Sequence, residues 1–300
     1  MSCLRFMKKV IAHGRQCVVA VTCIFVATPT QADETNIFGI AMADIPAGNF
    51  LMGSCQLNGK IIEANNKKRA FLGLEPARPN CTNNANEMPL HRVRIKAFQM
   101  GKTEVTLGQF KAFVIAAKRN DLLTDTFIGD NKYGDNAPVM VSRDDAQKFI
   151  AWLNKIDGGG WRLPSEAEWE YACRAGEDHS YCGSDDLEEV AWYRENSDNH
   201  PQPVGKKESN AFGIYDMSGN AWEWVQDCWH ENYRGAPRDG TAWVRNCTDE
   251  GGVVRGVVRG GSWNFYSYNG DFPATKRTPL SRDSWVGSSF SGFRVVRPKS

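Results

Sequence analysis

Two stretches of this 300-residue chain hold side chains whose pattern suggests chemistry. In residues 212–224 (FGIYDMSGNAWEW), Asp216, Gly219, Ala221 and Glu223 fall within eight residues. Carboxylates beside exposed carbonyls form the oxygen set that a hard cation such as calcium takes. Without a cation they would make a tight turn with solvated acids. Residues 259–297 open on Gly260-Gly261 and close on Gly292-Phe293-Arg294, with aromatic and small polar residues between. Trp263, Asn264, Phe265, Tyr266, Tyr268 and Asn269 mix rigid aromatic area with adaptable hydrogen bonders, as antibody-like binding surfaces do. Arg277, Arg282 and Trp285 extend that set. The competing expectation is that about half of these aromatics pack beneath the segment as a satellite core.

The remaining chemistry is sparse. Five histidines (His13, His91, His179, His200, His230) show no metal-ligand spacing, and there is no CxxC pair. Nine cysteines occur, of which Cys3, Cys17 and Cys23 lie in an N-terminal targeting pattern. That pattern has basic Arg5, Lys8, Lys9 and Arg15, an apolar run from Cys17 to Ala27, and small residues at Thr30 and Ala32. It predicts a signal peptide over 1–32, a mature chain from 33 to 300, and export to the periplasm or outside the cell. The apolar run is too short to span a bilayer, so no membrane span is expected after cleavage. Removing 1–32 leaves 32 basic against 35 acidic residues, a net charge of −3. No basic run points to nucleic acid. The six cysteines that remain suggest disulfides in an exported protein. Six allow fifteen pairings; the sequence-local set is Cys55–Cys81, Cys173–Cys182 and Cys228–Cys247.

The elements that must position these residues are short. Residues 39–53 read as an opening strand and hairpin, and 91–95 as a strand. Residues 54–86 are a polar excursion that Cys55 and Cys81 would pin. Capping patterns at Thr106/Gln109, Ser142/Asp145 and Ser165/Glu168 start three helices. Their inward stripes are Phe110, Phe113, Val114 and Ala117; then Ala146, Phe149, Ile150 and Leu153; then Trp169, Ala172 and Cys173. Arg162 and Glu166 are close enough in sequence to pair. After Gly176 only short strands, turns and aromatics follow. The result is a loop-rich α+β fold in one domain.

Four segments in this order carry a resemblance: MPLHRV with KTEVT (88–93, 102–106), WRLPSEAEWEYA (161–172), FGIYDMSGNAWEW (212–224), and RGGSW with GFRVV (259–263, 292–296). Together they resemble the sulfatase-modifying-factor, or formylglycine-generating-enzyme-like, domain family over roughly residues 40–298. The resemblance implies a fold related to C-type lectin-like domains. It also implies a structural calcium ion, held by side-chain oxygens of Asp216 and Glu223 and carbonyls of Gly219 and Ala221. A second family calcium site is missing a ligand, because Trp192 stands where the family has Asn. Family oxidases use two cysteines as copper(I) ligands, three and eight residues after the Ser of GGS. From Ser262 those positions are Phe265 and Gly270, and no cysteine follows Cys247. No copper site is therefore expected, since copper(I) selects soft sulfur.

The expectation for function is a ligand- or protein-binding module that uses the 263–285 surface for a protein or a glycan. The alternative is a formylglycine-generating-type or siderophore-maturing oxidoreductase that works without cysteines, since a siderophore-maturing branch of the family also lacks the pair. A third is a scaffold for a sulfatase-like enzyme. Some members of this fold are binding proteins diversified by retroelements at adenine-containing codons. Every residue from Asn264 to Phe272 is a type that such substitution reaches from an Asn codon, whereas Lys276 and Trp285 are not.

Overall fold

The computed structural model describes residues 38–56, 81–82, 84–247, 249–250, 253–270, 272–281 and 289–299. The expected signal peptide, most of the 54–86 excursion, and Arg282 and Trp285 lie outside the described residues.

The described residues open on one long bent ribbon. Strands β1 (Met42–Ile45) and β2 (Gly48–Met52) do not form a hairpin with each other, contrary to the sequence expectation. They run on in one direction and pair antiparallel with β6 (Phe98–Gly101) and β5 (His91–Ile95), with Ile45 opposite Phe98 and Gly48 opposite Ile95. Pro46 lies at the break and has no N–H for a ladder, so the ribbon bends there rather than turning back. The last described strand, β14 (Val296–Pro298), adds to the other edge of β6, which places β6 between β1 and β14.

Four capped helices follow in the chain. Helix α1 (Leu107–Ala116) starts with the full Thr106/Gln109 capping box, and α2 (Asp125–Asp130) starts at Thr124. Helix α3 (Arg143–Ile156) is capped by Ser142, whose side chain accepts from the Asp145 N–H. Its stripe of Ala146, Phe149, Ile150 and Leu153 is buried as expected. Phe149 meets Phe110, Phe113, Trp152 and Phe293 at ring distances of 5.5–5.9 Å. Helix α4 (Glu166–Arg174) opens with the Ser165/Glu168 box and is buried on every side except at Arg174. That burial makes it the central element. Trp169 and Ala172 contribute to the same core as β1, β5 and β6.

The C-terminal half builds a five-stranded sheet. Strand β9 (Trp222–Cys228) lies between β13 (Ser291–Gly292) and β11 (Val253–Arg259), and β11 also pairs with β10 (Asp249–Glu250) and β12 (Arg277–Ser281). A short helix, α5 (Leu187–Val190), leads into β7 (Ala191–Trp192), which runs parallel to β8 (Ser218–Gly219). Among the described residues two disulfides are formed, Cys173–Cys182 and Cys228–Cys247. The second closes a separation of 19 residues, a constraint worth about 3 kcal/mol in a chain-entropy account. Cys55 and Cys81 face each other in register in the parallel pair β3 (Cys55–Gln56) and β4 (Cys81–Thr82), while their side chains lie outside the description.

The expected Arg162–Glu166 pair is not formed. Arg162 instead makes a two-pronged bond to Glu168, in the helix's first turn, at 2.6 and 2.7 Å. Glu166 points the other way, into the interior, where Arg277 and Arg259 meet it.

Candidate functional site

The 212–224 stretch folds as a turn between two buried strands. Asp216, Gly219 and Asn220 all have left-handed backbones (φ 58°, 86° and 59°). Asn and Asp tolerate that region, whereas Gly219 is there for space: a Cβ would stand 2.4 Å from the Trp192 carbonyl oxygen. Asn220 ties three loops together. Its N–H donates to Trp192 O, its carbonyl accepts from Trp263 N, and its side-chain oxygen accepts from Gln202 N.

Beneath this turn the carboxylates gather. Glu223 accepts two bonds of 2.6 Å from Arg294 and one of 2.8 Å from the Trp169 indole. Arg294 also donates to the carbonyls of Gly101 and Tyr215. Asp216 accepts from Gly205 N through one oxygen, and its other oxygen is buried without a partner. Glu104, 1% exposed, has no hydrogen-bond partner at either oxygen. Three buried carboxylates thus face one guanidinium. Burial, reinforced by Asp216 and Glu223, pushes Glu104 well above the ordinary carboxylate range. Burial pushes Asp216 up to about 6. A hard cation would supply the missing partner.

Of the expected calcium set, Asp216 and Glu223 do come together, but both Glu223 oxygens are engaged by Arg294 and Trp169. The free oxygens belong to Asp216 and Glu104. Among the described residues no three His, Cys, Asp or Glu side chains converge as a ligand set. Sequence reasoning missed Glu104 because it lies far from Asp216 along the chain. The only local sign was an acid immediately before a buried run at Val105 and Leu107. Trp192 carries the Lys207 ammonium 4.4 Å from its ring centroid, and that ammonium also pairs with Glu188.

The aromatic stretch divides into an anchored part and a displayed part. Phe265 turns inward against Trp222, ring to ring at 5.8 Å and perpendicular, and joins a small cluster with Leu187, Ala191 and the buried Phe272. Trp263 is half-buried between Phe290 and Tyr133, at 5.6 and 6.4 Å, and its indole N–H has no partner. Asn264 accepts from the Ser262 hydroxyl. Gly270 is an exposed left-handed residue (φ 69°) closing the 3-10 turn Ser267–Asn269. The Asn269 side chain lies outside the description.

Tyr266 and Tyr268 point out. Their rings stack at 5.0 Å and 16°, and Tyr268 is 78% exposed. Arg194 lies over the Tyr266 ring at 5.0 Å. Glu195 accepts from the Ser267 N–H and hydroxyl. The sequence did not single out Arg194 or Glu195, because residues 193–197 reach the stretch only through tertiary bonds: Arg194 N to Phe265 O and Ser197 Oγ to Trp263 O.

Arg277 is a correction. It belongs to the interior, at 1% exposure, and not to the binding face. It donates to both Glu166 oxygens at 2.8 and 2.9 Å and to the carbonyls of His230 and Asn86, with Trp229 and Tyr233 against its guanidinium. As the first residue of β12 it leans into the core under α4, which a sequence of exposed-looking polar residues gave no reason to expect.

A capped, fully buried helix, a left-handed turn over an acid cluster, and a glycine-anchored terminal loop together define the class. Residues 29–299 match the model of the sulfatase-modifying factor enzyme 1-like domain, and the chain belongs to that family. It is similar to the structure of PvdO from Pseudomonas aeruginosa, with TM-score 0.68 and 29% identity over 88% of this chain and 97% of that one. It is 28% identical over 267 residues to the formylglycine-generating enzyme of Streptomyces coelicolor, spanning 70% of this chain and 81% of that protein. Treponema denticola variable protein 1 shares the fold, with TM-score 0.64 and 22% identity over 90% and 100% of the two chains. Two other relatives match over shorter stretches. The chain spans 55% of the Thermomonospora curvata formylglycine-generating enzyme and 37% of the chaperone protein LppX of Paenibacillus barcinonensis. No described helix is long and apolar enough to cross a membrane.

Proposed function

We propose that this chain is a ligand- or protein-binding member of the family, recognising its target with the face built by Trp263, Asn264, Tyr266 and Tyr268. The observation that carries this reading is the exposed stack of Tyr266 on Tyr268, held from behind by Arg194. Rigid aromatic area displayed to solvent costs little ordering entropy on binding. The two positions at which the family's oxidases place thiols support the same reading. One is the inward-packed Phe265 and the other the bare Gly270. The two disulfides and the N-terminal pattern support export with cleavage after Ala32, into the periplasm or beyond the cell.

Peptide and glycan arrays probed with the mature chain test the reading. Tyr266→Ala and Tyr268→Ala should each weaken capture with an unchanged melting temperature. Copper uptake with oxygen consumption on a cysteine peptide would overturn it. The variable Treponema protein suggests a further expectation. If the stretch is diversified, variation among copies should fall at Tyr266, Ser267 and Tyr268 and spare Phe265 and Phe272.

We also propose a structural calcium ion beneath the 216–223 turn, with Glu104 joining Asp216 as a ligand. The unpartnered oxygens support it. Isothermal titration of chelated protein with calcium tests it, and Glu104→Gln should remove the binding.

A further inference from the structure

The tyrosine stack has two ends, and they differ. One ring face of Tyr266 is covered by the Arg194 guanidinium. Tyr268, at 78% exposure, stands in solvent, and its only described ring partner is Tyr266. An aromatic face carries negative potential, so a free tyrosine face is attractive to a cation. The Arg194–Tyr266 contact shows this site making that interaction once already.

The charge of the adjoining segment points the same way. Between Asp185 and Asp198 stand six acids, Asp185, Asp186, Glu188, Glu189, Glu195 and Asp198, against Arg194 as the one base. The end of this segment is laced to the stack's own backbone. Glu195 accepts from Ser267, which lies between the two tyrosines, and Ser197 donates to Trp263 O. Neither bond to Glu195 brings a positive charge, and its carboxylate is exposed beside the rings.

We infer that the target seated on this face is a protein segment with exposed arginine or lysine, whose cationic head lies on the free face of Tyr268 and is met by Glu195. This rests on the reading above that the Tyr266–Tyr268 face is the binding surface, and it adds the chemical class of the partner. Exposed Glu195, beside the stack, steers a basic segment to the face. It also disfavours anionic ligands, and a neutral glycan would gain hydrogen bonds from Glu195 but no charge pairing.

The probe is a fluorescein-labelled, acetylated hexa-arginine peptide titrated into the full mature chain by anisotropy, with hexa-glutamate and cellohexaose for comparison. Hexa-arginine should bind, weaken as salt rises from 50 to 300 mM, and outcompete both others. Tyr268→Ala and Tyr268→Leu should weaken it about fivefold, the effect of about 1 kcal/mol for a surface cation–π contact. Tyr268→Phe should bind as the native protein does, because the ring face is kept. Glu195→Gln should weaken binding and flatten its salt dependence. Tyr268 is exposed, so melting temperatures of all four variants should match the native chain. Equal binding by Tyr268→Leu and Tyr268→Phe would overturn the inference, as would tighter binding of cellohexaose. If hexa-arginine fails to bind while the arrays show another ligand lost in Tyr268→Ala, the partner class falls and the binding face stands.

Discussion

Two buried clusters of arginine and carboxylate lie along β9, one through Glu223 and one through Asp227, and they are built differently. Under α4, Glu166, Glu170 and Asp227 face Arg174, Arg259 and Arg277. There each oxygen of Glu166 and Glu170 is engaged: Glu166 by Arg277, Arg259 and Tyr233, and Glu170 by Arg174, Arg259 and Gly53 N. Burial raises Glu170, yet Arg174 and Arg259 overcome it and leave its carboxyl below the ordinary value. Under the 216–223 turn, Glu104, Asp216 and Glu223 share only Arg294, and three of their oxygens have no partner. Balanced clusters of this kind hold a fold in one arrangement, at a desolvation cost that makes either partner expensive to remove. An unbalanced one is complete only with something added.

The largest expected effect tests the balanced side. Arg277→Ala leaves Glu166 buried with too little positive charge and should cost about 3–5 kcal/mol in chemical denaturation. On the unbalanced side, calcium at a hundredfold over its Kd should stabilise the native chain by about 2.7 kcal/mol. Glu104→Gln should abolish that gain, whereas Arg277→Ala should keep it. Next in size, Phe265→Ala removes a half-buried ring from Trp222 and should cost about 2 kcal/mol, which sets the anchored part of the terminal stretch apart from the displayed part.

The acid clusters also set a pH dependence. The folded chain holds Asp216 at about 6 and Asp227 at about 7, the latter by burial and the neighbouring Glu166. Unfolded carboxylates titrate near 4. Between these values the folded state carries more protons than the unfolded one, so stability falls as pH rises from about 4 to about 7. Melting curves in chelator should show this decline. Asp216→Asn should remove its lower part. Saturating calcium should oppose it, because a bound cation favours the ionised carboxylates.

Helix caps, helix stripes and short-range cysteine pairs were reliable local signals in the sequence. The caps at Thr106, Ser142 and Ser165, the stripes of α1 and α3, and two disulfides with short separations were all visible, because each depends on neighbours a few residues apart. Long-range choices were not. Nothing near Glu166 said that its partner would be Arg277 and not Arg162, and nothing near Pro46 said that β1 and β2 would find β6 and β5 instead of each other. Glu104 was unreadable for the same reason, being defined by what surrounds it in space. The terminal stretch was half legible. Its aromatic composition marked it, while its division into anchored Phe265 and Phe272 and displayed Tyr266 and Tyr268 needed the scaffold.

The smallest expected effect on stability falls where the largest effect on function should. Tyr266→Ala/Tyr268→Ala removes only exposed rings, which should change stability by no more than about 0.5 kcal/mol. Array capture and melting temperature measured on this double variant beside the native chain test the account most directly. Capture should vanish at an unchanged melting temperature. Capture that persists, or that is lost only together with stability, would contradict a recognition face built on the tyrosine stack.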